Sequence, residues 1–453
     1  MFLNRKKKES GIHLGTGVNL ANPGRVVDIF LPDSHRQGHT FFFGTTRVGK
    51  TRAAEHMIEQ DIMDGKNIAL FDPKGDQQIF TKIFDAALRA GREKEIMLVT
   101  PVYPEHSAVI DPMAYYFMQD ELVGHVISGI QGGKDPFFRN IAKEITTAVI
   151  TANILLAQEE GRMPQMNFDA IRNSIRRDSL ENTMVALQRI GSPQALSTAG
   201  IIGDILNSPQ DYYAKVSSTL RTTLNELSTG NIGQIIGQAE SNRFMEKLEN
   251  GERVILIVHT GTMLTREAGA TLGKVILSMI QSFIGRVYLS NKQKVDPALA
   301  IYIDEAQSLL YPGIEELTAK AGSANVMLHL FAQSVNQIYD VLGREKAKAI
   351  LDTTNTKIFM RATDAETSEY VVKHFGTHSV LTGIYSTAQV TTREVEQDII
   401  KVRDVLDLQA QQFYLNTYSG VYRGTVAHVG DPQIQIVFPD APVAVRQANQ
   451  GAA

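Results

Sequence analysis

The sequence predicts an α/β protein, a parallel sheet covered by helices, with an all-α domain inserted into it. Three observations predict this. Short apolar runs alternate with helix-compatible stretches over the first hundred residues. Strand character then disappears from about residue 117 to residue 250, and it returns from residue 253 onward. Buried strands linked through helices need crossover connections, which build parallel sheets clothed on both faces.

Each element has a local reason. Val26–Leu31 reads as a lead-in strand, and Thr40-Phe41-Phe42-Phe43 as a buried one. A helix-compatible stretch, Arg52 to Met63, follows, and then Asn67-Ile68-Ala69-Leu70-Phe71, a short apolar run ending in the turn-forming Asp72-Pro73-Lys74-Gly75-Asp76. Gln77 to Ala90 is helical in pattern and Ile96–Val99 is strand-like. Within the strandless region, helical patterns run over Ile141–Leu156, Ser179–Arg189 and Asp211–Leu227. Arg253–His259 restores the strands. Thr265–Tyr288 then places Leu272, Val275, Ile276, Met279, Ile280 and Phe283 on one helical face. Further strands are expected at Ala298–Ile303, Val326–Phe331, Thr356–Arg361 and Gln412–Asn416, and the residues after Pro439 read as a frayed tail.

With 453 residues there is room for two to three domains. Cys is absent, which excludes disulfides, thiolate metal sites and a cysteine nucleophile. The net charge of −4 excludes coating of nucleic acid by bulk positive charge, so any DNA contact must come from local basic patches. Arg5-Lys6-Lys7-Lys8 has no apolar run behind it and is not a signal peptide. It reads as a solvated tail or as the cytoplasmic flank of a membrane anchor. The apolar helix Ile141–Gln158 is interrupted by Lys143 and Glu144 and reads as buried, not membrane-spanning.

Chemistry concentrates first in Gly44-Thr45-Thr46-Arg47-Val48-Gly49-Lys50-Thr51, which fits G-x-x-x-x-G-K-[ST] between a strand and a helix. Its glycines let backbone N–H groups curl around phosphate at a helix N-terminus. Lys50 can reach β- and γ-phosphates, and the Thr51 hydroxyl can ligate Mg2+. ATP and Mg2+ are therefore the expected cofactors. Ala298–Ile303 runs into Asp304-Glu305, a strand ending in paired carboxylates. Asp304 would orient the magnesium's water shell and Glu305 would act as general base. Gln333, at the tip of the neighbouring strand, reads as a γ-phosphate sensor or as a helix-capping surface glutamine. The basic residues Arg172, Arg176, Arg177, Arg189, Lys215 and Arg221 of the helical region read as a DNA-facing set or as solvated helix surface.

His39-Thr40, the phosphate loop, Phe71-Asp72-Pro73-Lys74-Gly75-Asp76, Tyr302-Ile303-Asp304-Glu305-Ala306 and Phe331-Ala332-Gln333-Ser334 together resemble the type IV secretion coupling proteins of the TraD/TraG kind, RecA-like motors of the FtsK/HerA superfamily. The Asp72–Asp76 segment discriminates most. The resemblance implies a RecA-like P-loop nucleotide-binding domain at residues 12–117 and 250–440 and an all-α domain at 118–249, with a basic tail at 1–11 and a C-terminal tail at 441–453. It further implies a P-loop ATPase acting as a homo-hexamer. DNA would be carried without sequence preference, with a relaxase and type IV secretion components as partners, at the cytoplasmic face of the bacterial inner membrane. Such proteins usually start with transmembrane helices; none is evident here, so membrane association would come through a missing anchor or through partner proteins. An arginine finger is expected between Asp304 and Gln333, yet Leu317–Ala324 holds no Arg. Lys320 and Arg361 are the candidate cations, each matched by a plain alternative, a surface lysine and a structural arginine. An ATP-gated docking receptor for secretion substrates and a cytosolic FtsK/HerA-type translocase are the competing functions.

Overall fold

The computed structural model describes residues 9–130, 136–237, 242–385 and 390–438; the basic cluster at 5–8 and the C-terminal tail at 441–453 lie outside them. The first strands are β1 (Gly11–Asn19), β2 (Asn22–Pro32), β3 (Thr40–Phe43), β4 (Asn67–Asp72) and β5 (Ile96–Val99). After a helical stretch come β6 (Ile255–His259), β7 (Leu299–Ile303), β8 (Val326–Ala332) and β9 (Thr356–Phe359). The hairpin β10 (Thr377–Tyr385) and β11 (Val390–Asp398) precedes β12 (Gln412–Thr417) and β13 (Gly420–Val426). All but the hairpin join one 11-stranded sheet in the order β2-β1-β13-β12-β9-β3-β8-β7-β4-β6-β5. From β9 to β5 the neighbours are parallel. The other four strands form an antiparallel arm beyond β9.

The parallel strands are mostly apolar because both their faces are covered. Phe41 and Phe43 stack on one face, with centroids 4.3 Å apart, while Phe42 stacks on Phe331 at 4.5 Å on the other. Alternate residues of β4, β6 and β7 divide in the same way between two cores. One core receives the helices Lys50–Met63 and Gln77–Arg89; the other receives the long helix Thr262–Leu289 and the helical region. The segment Glu267–Leu289 is long and apolar enough to cross a membrane, but 67% of its apolar window is buried inside the protein. Leu272, Val275, Ile276, Met279, Ile280 and Phe283 face the core as their spacing predicts.

Between β5 and β6 every regular element among the described residues is helical, from Gln119–Gly129 to Arg243–Glu249. The stretch expected as one helix, Asp211–Leu227, is two, Gln210–Val216 and Ser218–Ser228. Ser217 at the junction turns its hydroxyl back onto the Tyr213 carbonyl at 2.7 Å, a bond that bends helices. The strand expected to reach Arg361 stops at Phe359, where the chain turns to meet the phosphate loop.

A buried polar cluster ties the helix Lys50–Met63 to the sheet. Arg36, fully buried, donates to Asp61 Oδ1 at 2.8 Å and to the Tyr302 hydroxyl at 3.1 Å, and Lys66 Nζ lies 3.1 Å from Asp61. Burial alone would raise the Asp61 pKa, but Arg36 and Lys66 overcome it and hold the carboxyl well below its usual range. Asp61→Ala leaves the guanidinium buried without its main counter-charge and is expected to cost about 3–5 kcal/mol, read as a lower urea midpoint at unchanged slope. Because the folded pKa is depressed, the contribution is complete above about pH 4 and is lost as pH falls. A loss under about 1 kcal/mol, the range of exposed pairs, would mean that the cluster is not a desolvated ion pair.

Candidate functional site

Five parallel strands deliver the chemically interesting residues to one place, the carboxyl edge of the sheet. Gly44 follows β3, Gln333 follows β8, Asp304 and Glu305 follow β7, Asp72–Lys74 ends β4, and Thr260 follows β6. Side chains at such an edge lie outside the sheet, where ligands of open α/β sheets bind.

The phosphate loop is held by its backbone. Gly44 N–H donates to the Ala332 carbonyl at 3.2 Å and Thr45 N–H to the Arg361 carbonyl at 2.8 Å, pinning the loop to the ends of β8 and β9. Gly49 has φ +105°, in the left-handed half that glycine tolerates, and it opens the helix Lys50–Met63. Lys50 Nζ donates to the Gly44 and Thr45 carbonyls at 2.5 and 2.9 Å, so the ammonium caps the loop. Burial pulls the Lys50 pKa down, against the pull of Asp304 and Glu305. Thr51 stands beside it in the first helical turn.

Opposite the loop, Asp304 and Glu305 share a lysine. Lys74 Nζ lies 3.2 Å from Asp304 and 2.8 Å from Glu305. Burial would lower the Lys74 pKa, but the two carboxylates hold it above the usual lysine range. Glu305 also accepts from Gln333 Nε2 at 3.2 and 3.3 Å and from Gln307 Nε2 at 2.5 Å. Burial alone would raise its pKa; Lys74, Gln307 and Gln333 together bring it below the usual range. Its backbone is left-handed, with φ +46°, a strained setting for a residue with a side chain. Asp72 anchors the Asp72–Asp76 turn by accepting from Lys74 N–H at 2.9 Å and Asp76 N–H at 2.6 Å. Burial, with Asp304 nearby, pushes its pKa up to about 6. His259 lies 3.4 Å from Asp72, but burial pushes it down to about 4, so at neutral pH the imidazole is uncharged and the two are not an ion pair.

The structure thus gathers Gly44–Thr51, Asp304, Glu305 and Gln333 at one edge. It places the two candidate finger cations differently. Arg361 lies beside the loop of its own chain, two residues past β9. Lys320 is exposed, paired with Glu316, and sits before β8, toward the opposite edge from Gln333. Among the helical region's basic residues, Arg172 pairs with Asp169, Arg176 with Asp178 and Arg177 with Glu181, which favours the solvated-surface reading for those three. Among the described residues no cluster of three or more His, Asp or Glu side chains could hold a metal. A hydroxyl and one carboxylate, Thr51 and Asp304, still fit magnesium, which keeps several waters and takes substrate phosphates as its other ligands.

One loop contact, Gln411, carried no usable signal. Gln411 N–H donates to the Val48 carbonyl at 2.7 Å, and its backbone comes within 3.4 Å of where a Gly49 side chain would start. Nothing in Gln409–Gln412 marks it as loop-contacting. Lys74 lies in a turn singled out by sequence, but its reach to both carboxylates depends on β4 and β7 being neighbours.

Residues 298–410 match the family model described as the TraM recognition site of TraD and TraG. No curated protein matches the chain. Among solved structures, the bacterial conjugative coupling protein TrwBdeltaN70 in its unbound form aligns with TM-score 0.67 and 14% identity, over 93% of this chain and 91% of that one. The plasmid coupling protein TrwB in complex with ADP and Mg2+ gives 0.65 and 14%, over 95% and 93%. VirB4 of Thermoanaerobacter pseudethanolicus gives 0.55 and 11%, over 93% and 98%. The chain therefore has the RecA-like P-loop fold with a helical domain, and it is TraD/TraG-like both in its motifs and in the segment 298–410.

Proposed function

We propose that this protein is an ATP-driven coupling protein that recruits a DNA–relaxase or protein substrate and drives DNA toward a type IV secretion channel during conjugation. The observation that carries the reading is the meeting of Lys50, Asp304, Glu305 and Gln333 at one sheet edge, with Glu305 bonded to Gln333. The resemblance to coupling proteins, of which TrwB has been seen with ADP and Mg2+ and with a non-hydrolysable ATP analogue, supports it.

In this reading the loop's N–H groups take phosphate oxygens, and Lys50 leaves the Gly44 and Thr45 carbonyls for the β- and γ-phosphates. Thr51 and Asp304 would hold magnesium, whose charge offsets that of the phosphates. Glu305 accepts a proton from the attacking water, and Gln333, bonded to Glu305, relays the state of the γ-phosphate to β8 and the helix behind it. Copies assemble as a hexamer at the cytoplasmic face of the inner membrane, and DNA is gripped by its phosphates without regard to sequence. With a net charge of −4, that grip has to be local.

The test is steady-state ATP hydrolysis with and without single- or double-stranded DNA, with Lys50→Ala as the blank. The expected result is turnover that DNA stimulates and that rises cooperatively with protein concentration. Turnover that is low and indifferent to DNA would overturn the motor and leave an ATP-gated docking receptor.

A further inference from the structure

The proposed hydrolysis assigns no task to Lys74, although among the described residues it is the one lysine or arginine paired with Asp304 or Glu305. The cations weighed for a finger stand elsewhere. Arg361 adjoins its own phosphate loop, and Lys320 is exposed and bonded to Glu316.

The backbone that carries Lys74 is fixed from several sides. Asp72 accepts from the N–H groups of Lys74 at 2.9 Å and of Asp76 at 2.6 Å. The Pro73 carbonyl accepts twice from Thr262, from its N–H at 2.7 Å and from its hydroxyl at 2.9 Å. Gly75 closes the turn at φ +70°, with its N–H on the Asp72 carbonyl at 3.3 Å. The side chain, by contrast, is half-exposed on a flexible four-carbon stem, held by Asp304 at 3.2 Å and Glu305 at 2.8 Å. An ion pair this exposed is weak, so the ammonium can leave without disturbing the turn. It also faces the phosphate loop: burial chiefly, and the Lys74 charge in addition, lower the Lys50 pKa, so the two ammonium groups act on the same space.

We infer that Lys74 is a further catalytic residue, whose ammonium, held on Asp304 and Glu305 in this structure, transfers to the terminal phosphate of ATP bound to its own chain. The inference rests on the nucleotide-binding reading above. Lys74 cannot share Asp304 with a divalent cation without strong repulsion, and a phosphate oxygen is a charge-assisted partner for the displaced ammonium. The transfer also acts on the base. Burial raises the Glu305 pKa, and Lys74 is first among the groups that outweigh it. Its departure therefore leaves Glu305 a stronger base once the phosphate to be cleaved is in place.

The experiment measures binding of ADP and of a non-hydrolysable ATP analogue, each with Mg2+, to the full chain. Lys74→Met should leave ADP close to its wild-type affinity and weaken the analogue roughly tenfold or more, the worth of one charge-assisted hydrogen bond. Lys74→Arg should recover most of that loss. Lys74→Met also leaves two carboxylates uncompensated, which by itself would repel the longer phosphate chain. Repeating the measurements in a Glu305→Gln background removes one of those charges. The loss should persist there, and its disappearance would overturn the assignment by showing that Lys74 only neutralises Glu305. An equal change in ADP and analogue, or no change in either, likewise overturns the assignment and leaves the nucleotide reading standing. A wild-type protein that binds neither ligand overturns that reading, and the role of Lys74 with it.

Discussion

Lys50→Ala is expected to lower ATP turnover at least a hundredfold and to weaken nucleotide binding in parallel, with little change in thermal stability. Lys50 is the first helical residue behind the loop, and its ammonium already lies against the loop's inner carbonyls, 2.5 Å from Gly44 and 2.9 Å from Thr45. A charge-assisted hydrogen bond is worth about 1.5–3 kcal/mol, so losing two of them to phosphate costs roughly two to four orders of magnitude. The fold does not depend on those contacts. The loop is held separately by Gly44 and Thr45 N–H groups on the ends of β8 and β9 and by Gln411 on Val48. Titration with a fluorescent ADP analogue, alongside a melting curve, checks this. Wild-type affinity in a folded variant would mean that phosphate does not sit in the loop.

The parallel half of the fold was legible because burial on both faces forces continuous apolar runs, such as Phe41–Phe43 and Ile301–Ile303. The runs of β4, β7 and β8 stop at polar residues, Asp72, Asp304-Glu305 and Gln333, and these line the candidate site. The antiparallel arm was much less legible. In β1, Gly15 and Gly17 lower strand propensity, yet a side chain at either would start 2.0 and 2.3 Å from carbonyl oxygens of β13. The glycines are there because two backbones approach closely, a reason invisible until the partner strand is known. The hairpin β10–β11 has no polar–apolar alternation to mark it as strand, and its Leu381 is 73% exposed. Arg36 and Asp61 drew no reading from the sequence, because pairing across 25 positions leaves no local pattern.

The finger cation is a different kind of gap. A residue acting on a neighbour's nucleotide need not lie near its own phosphate loop, so proximity within one chain cannot select it. Arg361 adjoins its own loop and Lys320 lies toward the far edge. Two subunits packed edge to edge would present these surfaces to different parts of the neighbouring site.

Glu305→Gln is expected to cut turnover by about 10²–10⁴-fold, the usual contribution of a positioned general base, while ATP binding stays within a few-fold of wild type. The substitution is nearly isosteric. The amide keeps an oxygen that can accept from Gln333 and Gln307, so the left-handed turn at φ +46° keeps its side-chain anchors. What disappears is the charge, and with it the ability to take a proton from water. Lys74 loses one of its two carboxylates but keeps Asp304 at 3.2 Å, so the Asp72–Asp76 turn should hold. Removing a negative charge opposite the triphosphate also removes a repulsion, which makes trapped ATP the expected state. The trap can be read directly as protein-bound nucleotide that remains triphosphate after several wild-type turnover times. A loss of less than tenfold would place the base elsewhere, and the next carboxylate at this edge is Asp72, whose pKa is pushed up to about 6 by burial. In that event Asp72→Asn would carry the large loss, at the expense of the turn it caps through Lys74 and Asp76. A turnover defect in Glu305→Gln with unchanged melting therefore assigns the base to Glu305, whereas Asp72→Asn combines any turnover defect with the lowered melting of a broken turn.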